Sequence, residues 1–356
     1  MTSAQQLDKS QDNKYIYITM LNIAACFGVV MLHVNQVFSI HPVGITWITA
    51  ILIVSLASWP VPVFYMITGA TLLDYRKRYT TKVFMKKRFL KTFIPFVVWS
   101  IIAFYFYRCI DVYAGRPFAS WLPTINGIIN YKYIRIYWFF VPLFAIYLSM
   151  PALNLLSGKW KLIRYLILYA FISYSVFPFI SNTFHFTIDD FYSSPVSAGY
   201  ILYVLIGYYI HVKPLSKKTR VIIYALGIAG VTIFCVGTYM LTPNYGGYET
   251  INQTFMGYLN FPCFFYAVAV FVFFKHCKFT KLMQNDTAQR LINKMHKSTF
   301  GIYLVHIFIL YLTVGAFHID IASLSWRIFG SILIFLLSFA FVQCIKRIPL
   351  LRYIVP

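Results

Sequence analysis

Two histidines in apolar surroundings and one basic stretch are the residues whose types and spacing could do chemistry. His33 lies toward the end of an apolar segment, Tyr15 to Phe38, and is the side chain in its interior that titrates near neutral pH. Asn22 stands eleven positions earlier, and eleven residues at ~100° each return to within about 20° of the same helical face. Thr19, Asn22, Cys26 and His33 therefore fall on one stripe. At ~1.5 Å per residue Asn22 and His33 are about 16 Å apart, two levels of one inward-facing track and not bonding partners. An imidazole, with an unperturbed pKa of about 6.5, suits removal of a proton from an attacking hydroxyl. The competing reading ends the helix at His33 near the headgroups, with its ring bonded to a carbonyl or water. The two weigh evenly, because deep intramembrane polar residues tend to be functional and interfacial ones less so. His306, inside a later apolar span, is the other intramembrane histidine, and for it a bond to a neighbouring helix is the stronger expectation. His41, His185, His211, His276, His296 and His318 fall in loops or at boundaries and are expected to be solvated.

The elements that must position these residues are apolar helices. Of 356 residues, 60% are hydrophobic and 11% charged, and the mean hydropathy is +0.70; a soluble domain carries about 25% charged residues. The reading is all-α, a polytopic membrane bundle of about ten transmembrane helices. The spans run near 15–38, 46–73, 89–107, 136–156, 162–180, 198–212, 221–241, 255–274, 299–317 and 326–345, that at 198–212 being short for a ~30 Å core. Pro60 and Pro62 interrupt the second span and free carbonyls inside the membrane. Residues 1–14 read as a cytoplasmic tail ahead of an uncleaved first helix, 15–346 as one membrane domain, and 347–356 as a second cytoplasmic tail.

The net charge is +22, which in a soluble protein would suggest nucleic acid. Here the cations flank apolar spans and act as topology signals, so no nucleic-acid partner is expected. Twenty-six of the 31 Lys and Arg fall on one set of alternate loops, leaving Arg108, Arg116, Lys132, Arg135 and Arg327 on the other. Both termini are then cytoplasmic. The 9 Asp and Glu avoid the span interiors, which argues against a proton-coupled transporter. Six scattered cysteines show neither a disulfide framework nor metal spacing.

Five ordered patterns resemble acyltransferase family 3, the bacterial integral-membrane O-acyltransferases of surface glycans. They are Asn22 with His33, where members carry Arg and His; Val61–Gly69 (VPVFYMITG); Lys87, Arg88, Lys91 and Pro95 (KRFLKTFIP); Tyr137–Pro151 (YWFFVPLFAIYLSMP); and Thr299–His306 (TFGIYLVH). Two positions depart from the family pattern: Asn22 replaces its arginine, and Lys91 stands where a second arginine would clamp phosphate with parallel donors.

The resemblance implies transfer of an acyl group, usually acetyl, from cytosolic acyl-CoA as co-substrate to a hydroxyl of a cell-surface or lipid-linked glycan across the bacterial cytoplasmic membrane, with no bound cofactor. His33 would be the general base. Arg88, Lys91, Lys87 and Asn22 would bind the donor, Arg88 and Lys91 being about one turn apart on one helix face. Thr68, Tyr137, Trp138, Tyr303, His306 and Asp189 would line a substrate cavity. Ordinary roles compete with each: Thr68 satisfying the carbonyls freed by the prolines, aromatic bulk packing for the rings, and a solvated turn for Asp189 and Asp190. Two other functions remain open, a glycan or lipid exporter or flippase and a non-catalytic relative, which Asn22 favours. Acceptor, acyl chain and oligomeric state are not encoded legibly.

Overall fold

The computed structural model describes residues 3–40, 42–109, 122–184, 199–243, 251–279, 282 and 284–356, with side chains from residue 16 onward. All described regular elements are helical. Eight helices are long and apolar enough to cross a membrane, and two shorter apolar helices, Ile201–Val212 and Phe261–His276, stand where two further spans were expected. The chain is a multi-pass membrane protein.

Helix α1 (Ser3–Val34) runs through the middle of the bundle and packs against most of its neighbours. The second span is broken into α2 (Gly44–Leu56) and α3 (Pro60–Leu72), so the prolines open a new helix instead of sitting inside one. A proline removes the donor to the carbonyl four residues back. For Pro60 that acceptor is Leu56 O, which takes the Tyr266 hydroxyl at 3.1 Å; for Pro62 it is Ser58 O, which takes Cys263 Sγ at 3.5 Å. The freed groups are thus satisfied from the helix Phe261–His276 and not by Thr68, whose hydroxyl bonds Phe64 O in its own helix at 2.9 Å.

The basic run forms α4 (Thr81–Arg88), capped by Thr80, and continues through a π-helical turn, Phe89–Phe93, into α5 (Ile94–Cys109). Pro95 explains the turn. It cannot donate to Lys91 O and its ring would crowd that carbonyl, so the chain widens and Ile94 N–H reaches back to Phe89 O. The same sequence device recurs at Pro178, where Phe177 N–H bonds Ile172 O.

After a short helix α6 (Ile125–Ile129), a 3₁₀ turn (Arg135–Phe139) leads into α7 (Phe140–Leu153). The helices α8 (Trp160–Phe171), α9 (Phe177–Phe184), α10 (Ile201–Val212), α11 (Lys217–Leu241) and α12 (Phe261–His276) follow. α10 is a core helix, with Leu202, Tyr203, Val204 and Leu205 fully buried. Its contact with α3 depends on two glycines: a Cβ on Gly69 would lie 1.9 Å from Val204 O, and one on Gly207 2.2 Å from Met66 O. The chain closes with α13 (Asp286–Phe317), a further π turn at Trp326–Gly330, and α14 (Ser331–Arg347). Residues of the expected C-terminal tail are docked against the bundle, Val355 being buried and Trp99 Nε1 bonding Ile354 O at 2.9 Å.

Candidate active site

The stripe on α1 faces α13 at two levels. At the basic level Asn22 Nδ2 donates to Thr299 Oγ1 at 3.0 Å and lies 3.1 Å from His296 Nδ1, while Cys26 Sγ approaches Thr299 O. At the far level His33 Nδ1 is 2.9 Å from His306 Nε2, with the two rings stacked at 5.0 Å and 26°. His306 is fully buried and His33 half-buried.

The hydrogen bonds fix the protons of this pair. His306 Nδ1 lies 3.1 Å from Ile302 O, and a carbonyl only accepts, so His306 carries its proton on Nδ1. With both rings neutral, His306 Nε2 is an acceptor and the bond between the rings is donated by His33 Nδ1. His33 Nε2 is left with its lone pair. A buried ring thus holds a half-buried one in the tautomer that can accept a proton, the part a third group plays in a nucleophile–base–orienter array.

A cavity of about 620 Å³ opens at the basic level. Arg88, Lys91, Lys297 and Lys346 surround it together with Asn22 and His296, and no described Asp or Glu side chain lines it. Deeper in, Phe64, Phe139, Leu143 and Phe300 make it apolar, and Tyr303 forms part of its lining. The Arg88 guanidinium stands over Tyr147 and Phe84 at 5.5 and 5.7 Å, and its buried Nε has no hydrogen-bond partner among the described residues. The π turn places Lys91 and the buried Thr92 on the same wall. Such a cavity can take a ligand with an anionic head and a long apolar arm.

The expected site residues divide. Arg88, Lys91, Asn22, Thr68 and Tyr303 line the cavity. Lys87 does not, since its ammonium sits 4.2 Å over the Tyr79 ring. Tyr137 is fully buried and bonds Leu304 O at 2.8 Å, and Trp138 stacks on Tyr258 at 5.5 Å, so both brace the bundle. Asp189 lies outside the described residues, as do Asp190, His41 and His185. His33 and His306 lie beyond the cavity lining, behind Tyr303, whose ring centroid is 5.8 Å from that of His306 and whose hydroxyl bonds Ile136 O at 2.5 Å.

Two histidines expected to be solvated are not. His211 is buried, 2.6 Å from the Tyr17 hydroxyl, and His296 is half-buried in the cavity wall. Lys297 and Lys346 also went unnoticed in the sequence. The signal for His296 was present: positions 296, 299, 300 and 303 repeat with helical period, so the apolar face of α13 extends a turn before the charge-free stretch begins.

No curated protein and no solved structure matches the chain. The family described as an acyltransferase domain matches residues 15–343, nearly the whole length. The site described above therefore lies within a multi-pass membrane protein that belongs to acyltransferase family 3.

Proposed function

We propose that the protein is a membrane O-acyltransferase, specifically an O-acetyltransferase, moving the acyl group of cytosolic acyl-CoA to a hydroxyl of a surface or lipid-linked glycan. The observation that carries this reading is the His33–His306 pair: the bonds from His33 Nδ1 to His306 Nε2 and from His306 Nδ1 to Ile302 O assign His33 a free Nε2 lone pair, and His306 stands one turn beyond Tyr303, which is in the wall of a cation-mouthed, apolar cavity. In this reading the chain crosses the cytoplasmic membrane ten times, with both termini and the cavity mouth in the cytoplasm. That orientation follows from the loop charges.

The donor's phosphates sit among Arg88, Lys91, Lys297 and Lys346, and its pantetheine arm runs along Phe64, Phe139 and Leu143 toward Tyr303. The acceptor approaches from the side away from the cavity, where His33 is half-buried. Its hydroxyl loses a proton to His33 Nε2 as the oxygen attacks the thioester carbonyl. The imidazolium so formed donates through Nδ1 to neutral His306. Collapse expels the CoA thiolate, which leaves by the basic mouth, and the ester remains on the acceptor.

His33→Ala in purified protein, assayed with labelled acetyl-CoA and a glycan acceptor, tests the reading. Transfer is expected to fall to background while CoA still binds. Turnover equal to the parent protein would remove His33 from the mechanism.

A further inference from the structure

A second concavity opens on the membrane-facing side of the bundle, about 350 Å³ in volume. Its walls are α8 and α11, and its floor is α10 and α12. One wall runs from Arg164 to Phe171 and the other from Thr219 to Leu226. Each covers eight residues, about 10 Å of rise, which is most of the ~15 Å half-thickness of a bilayer core. Leu168 on the rim is 59% exposed, so the groove opens sideways to lipid.

The groove is polar at its basic end, where Arg164 and Thr219 line it, and mostly apolar along its length. Both walls begin at the basic side of the bundle, and both begin with cations. Lys159, Lys161 and Arg164 lie at the start of α8, and Lys213, Lys217, Lys218 and Arg220 precede or open α11. Arg220 Nε is buried without a hydrogen-bond partner among the described residues. Residues 122–184 and 199–243 contain no Asp or Glu at all. The acid that reaches this end, Asp74, is occupied by Lys77, Ser157 and Tyr208. Positive-inside topology accounts for cations at these helix starts, but Arg164 is also part of the groove lining itself.

We propose that the α8–α11 groove binds an anionic glycerophospholipid, with one acyl chain laid between Leu168 and Ile223 and the phosphate held at Arg164. Charge complementarity selects an anionic headgroup over a zwitterionic one, because Arg164 lines the basic end, further cations stand at the starts of α8 and α11, and no Asp or Glu among the described residues lines the groove. The site is separate from the cavity around Arg88, with which it shares no lining residue.

The test is native mass spectrometry of the full chain in detergent, titrated with phosphatidylglycerol or phosphatidylcholine of matched chains. The parent protein is expected to retain one phosphatidylglycerol preferentially. Arg164→Glu, at an exposed position, should weaken retention by about fivefold or more, the worth of a single interfacial cation. Ile223→Trp, which fills the groove, should do the same without touching charge. Arg347→Glu, at the same side but away from the groove, should change nothing. Equal retention of the two lipids overturns the proposal, as does parent-like retention in both groove variants or a loss in Arg347→Glu as large as in Arg164→Glu.

Discussion

Replacing His306 tests the site where it is most specific. His306 touches neither the cavity nor, on the proposed reading, the reacting atoms; it acts by accepting the Nδ1 proton of His33 at 2.9 Å. His306→Leu keeps bulk in a fully buried position and deletes the acceptor. Two losses follow. The His33 ring is no longer held in the tautomer with a free Nε2. The hydrogen bond to the imidazolium formed as the hydroxyl attacks also disappears, and a bond to a charged group is worth about 1.5–3 kcal/mol. At 1.36 kcal/mol per factor of ten, that term alone is about 10- to 150-fold in kcat. The KM for acyl-CoA should stay within about twofold, because no cavity-lining residue has changed. His306→Gln can place its amide oxygen near the lost Nε2 and should recover most of the activity. The assay is steady-state transfer from labelled acetyl-CoA, with CoA affinity measured separately by calorimetry. A leucine variant with parent-like kcat would refute the tautomer argument, and a loss appearing wholly in KM would show that the pair serves binding instead of chemistry.

Three further outcomes follow from the geometry. Arg88→Glu reverses the charge beside Tyr147 at the cavity mouth, and should raise the KM for acyl-CoA by at least tenfold (about 1.4 kcal/mol) with a smaller effect on kcat; an unchanged KM would place the donor elsewhere. Gly69→Val drives a side chain into Val204 O and should destabilise the α3–α10 contact by about 1–3 kcal/mol, read as a lower unfolding temperature in detergent. Asp74→Ala removes the acceptor shared by Ser157 and Tyr208. It should cost about 3–6 kcal/mol, nearly all from those two bonds to a charged group, because Lys77 is 70% exposed and its ion pair is worth about 0–1 kcal/mol; Lys77→Ala should therefore be close to neutral in the same melt.

Local pattern made the helices legible, and distance in sequence hid the site. Hydropathy places eight spans and marks the two shorter ones, since burial in a membrane or core demands apolar side chains along whole turns. Helical period alone put Asn22, Cys26 and His33 on one face, and all three do face α13. The partners could not be read: His33 and His306 are separated by 273 residues, and no rule of spacing reaches that far. Charge misled in two places. The resemblance of KRFLKTFIP to the family's basic pattern groups Lys87 with Arg88, yet adjacent helical residues point about 100° apart, and Lys87 turns to Tyr79. Arg290, Lys294 and Lys297 made the start of α13 look like a loop, although a helix can carry cations on one face while His296, Thr299, Phe300 and Tyr303 line a cavity with another.

Tyr303 determines how the two levels communicate. It closes the inner end of the cavity and stands one turn before His306. Its hydroxyl is tied to Ile136 O, and the neighbouring Tyr137 hydroxyl is tied back to Leu304 O, so two tyrosines cross-brace α13 and the turn that opens α7. Swinging the Tyr303 ring aside breaks one neutral hydrogen bond, a net cost of about 0.5–1.5 kcal/mol with a further penalty of about 1–3 kcal/mol if the Ile136 carbonyl then stays dry. A donor bound at micromolar affinity commands about 8 kcal/mol. It can therefore shift this equilibrium only if it contacts the open state better than the closed one, and the aromatic wall of Phe64, Phe139 and Phe300 is where an acyl-pantetheine arm would make such contacts. On the proposed reading the partition is what allows a thioester and a solvent-accessible base to coexist in one bundle: with Tyr303 in place the two are separated, and water reaching His33 from the far side meets no activated carbonyl.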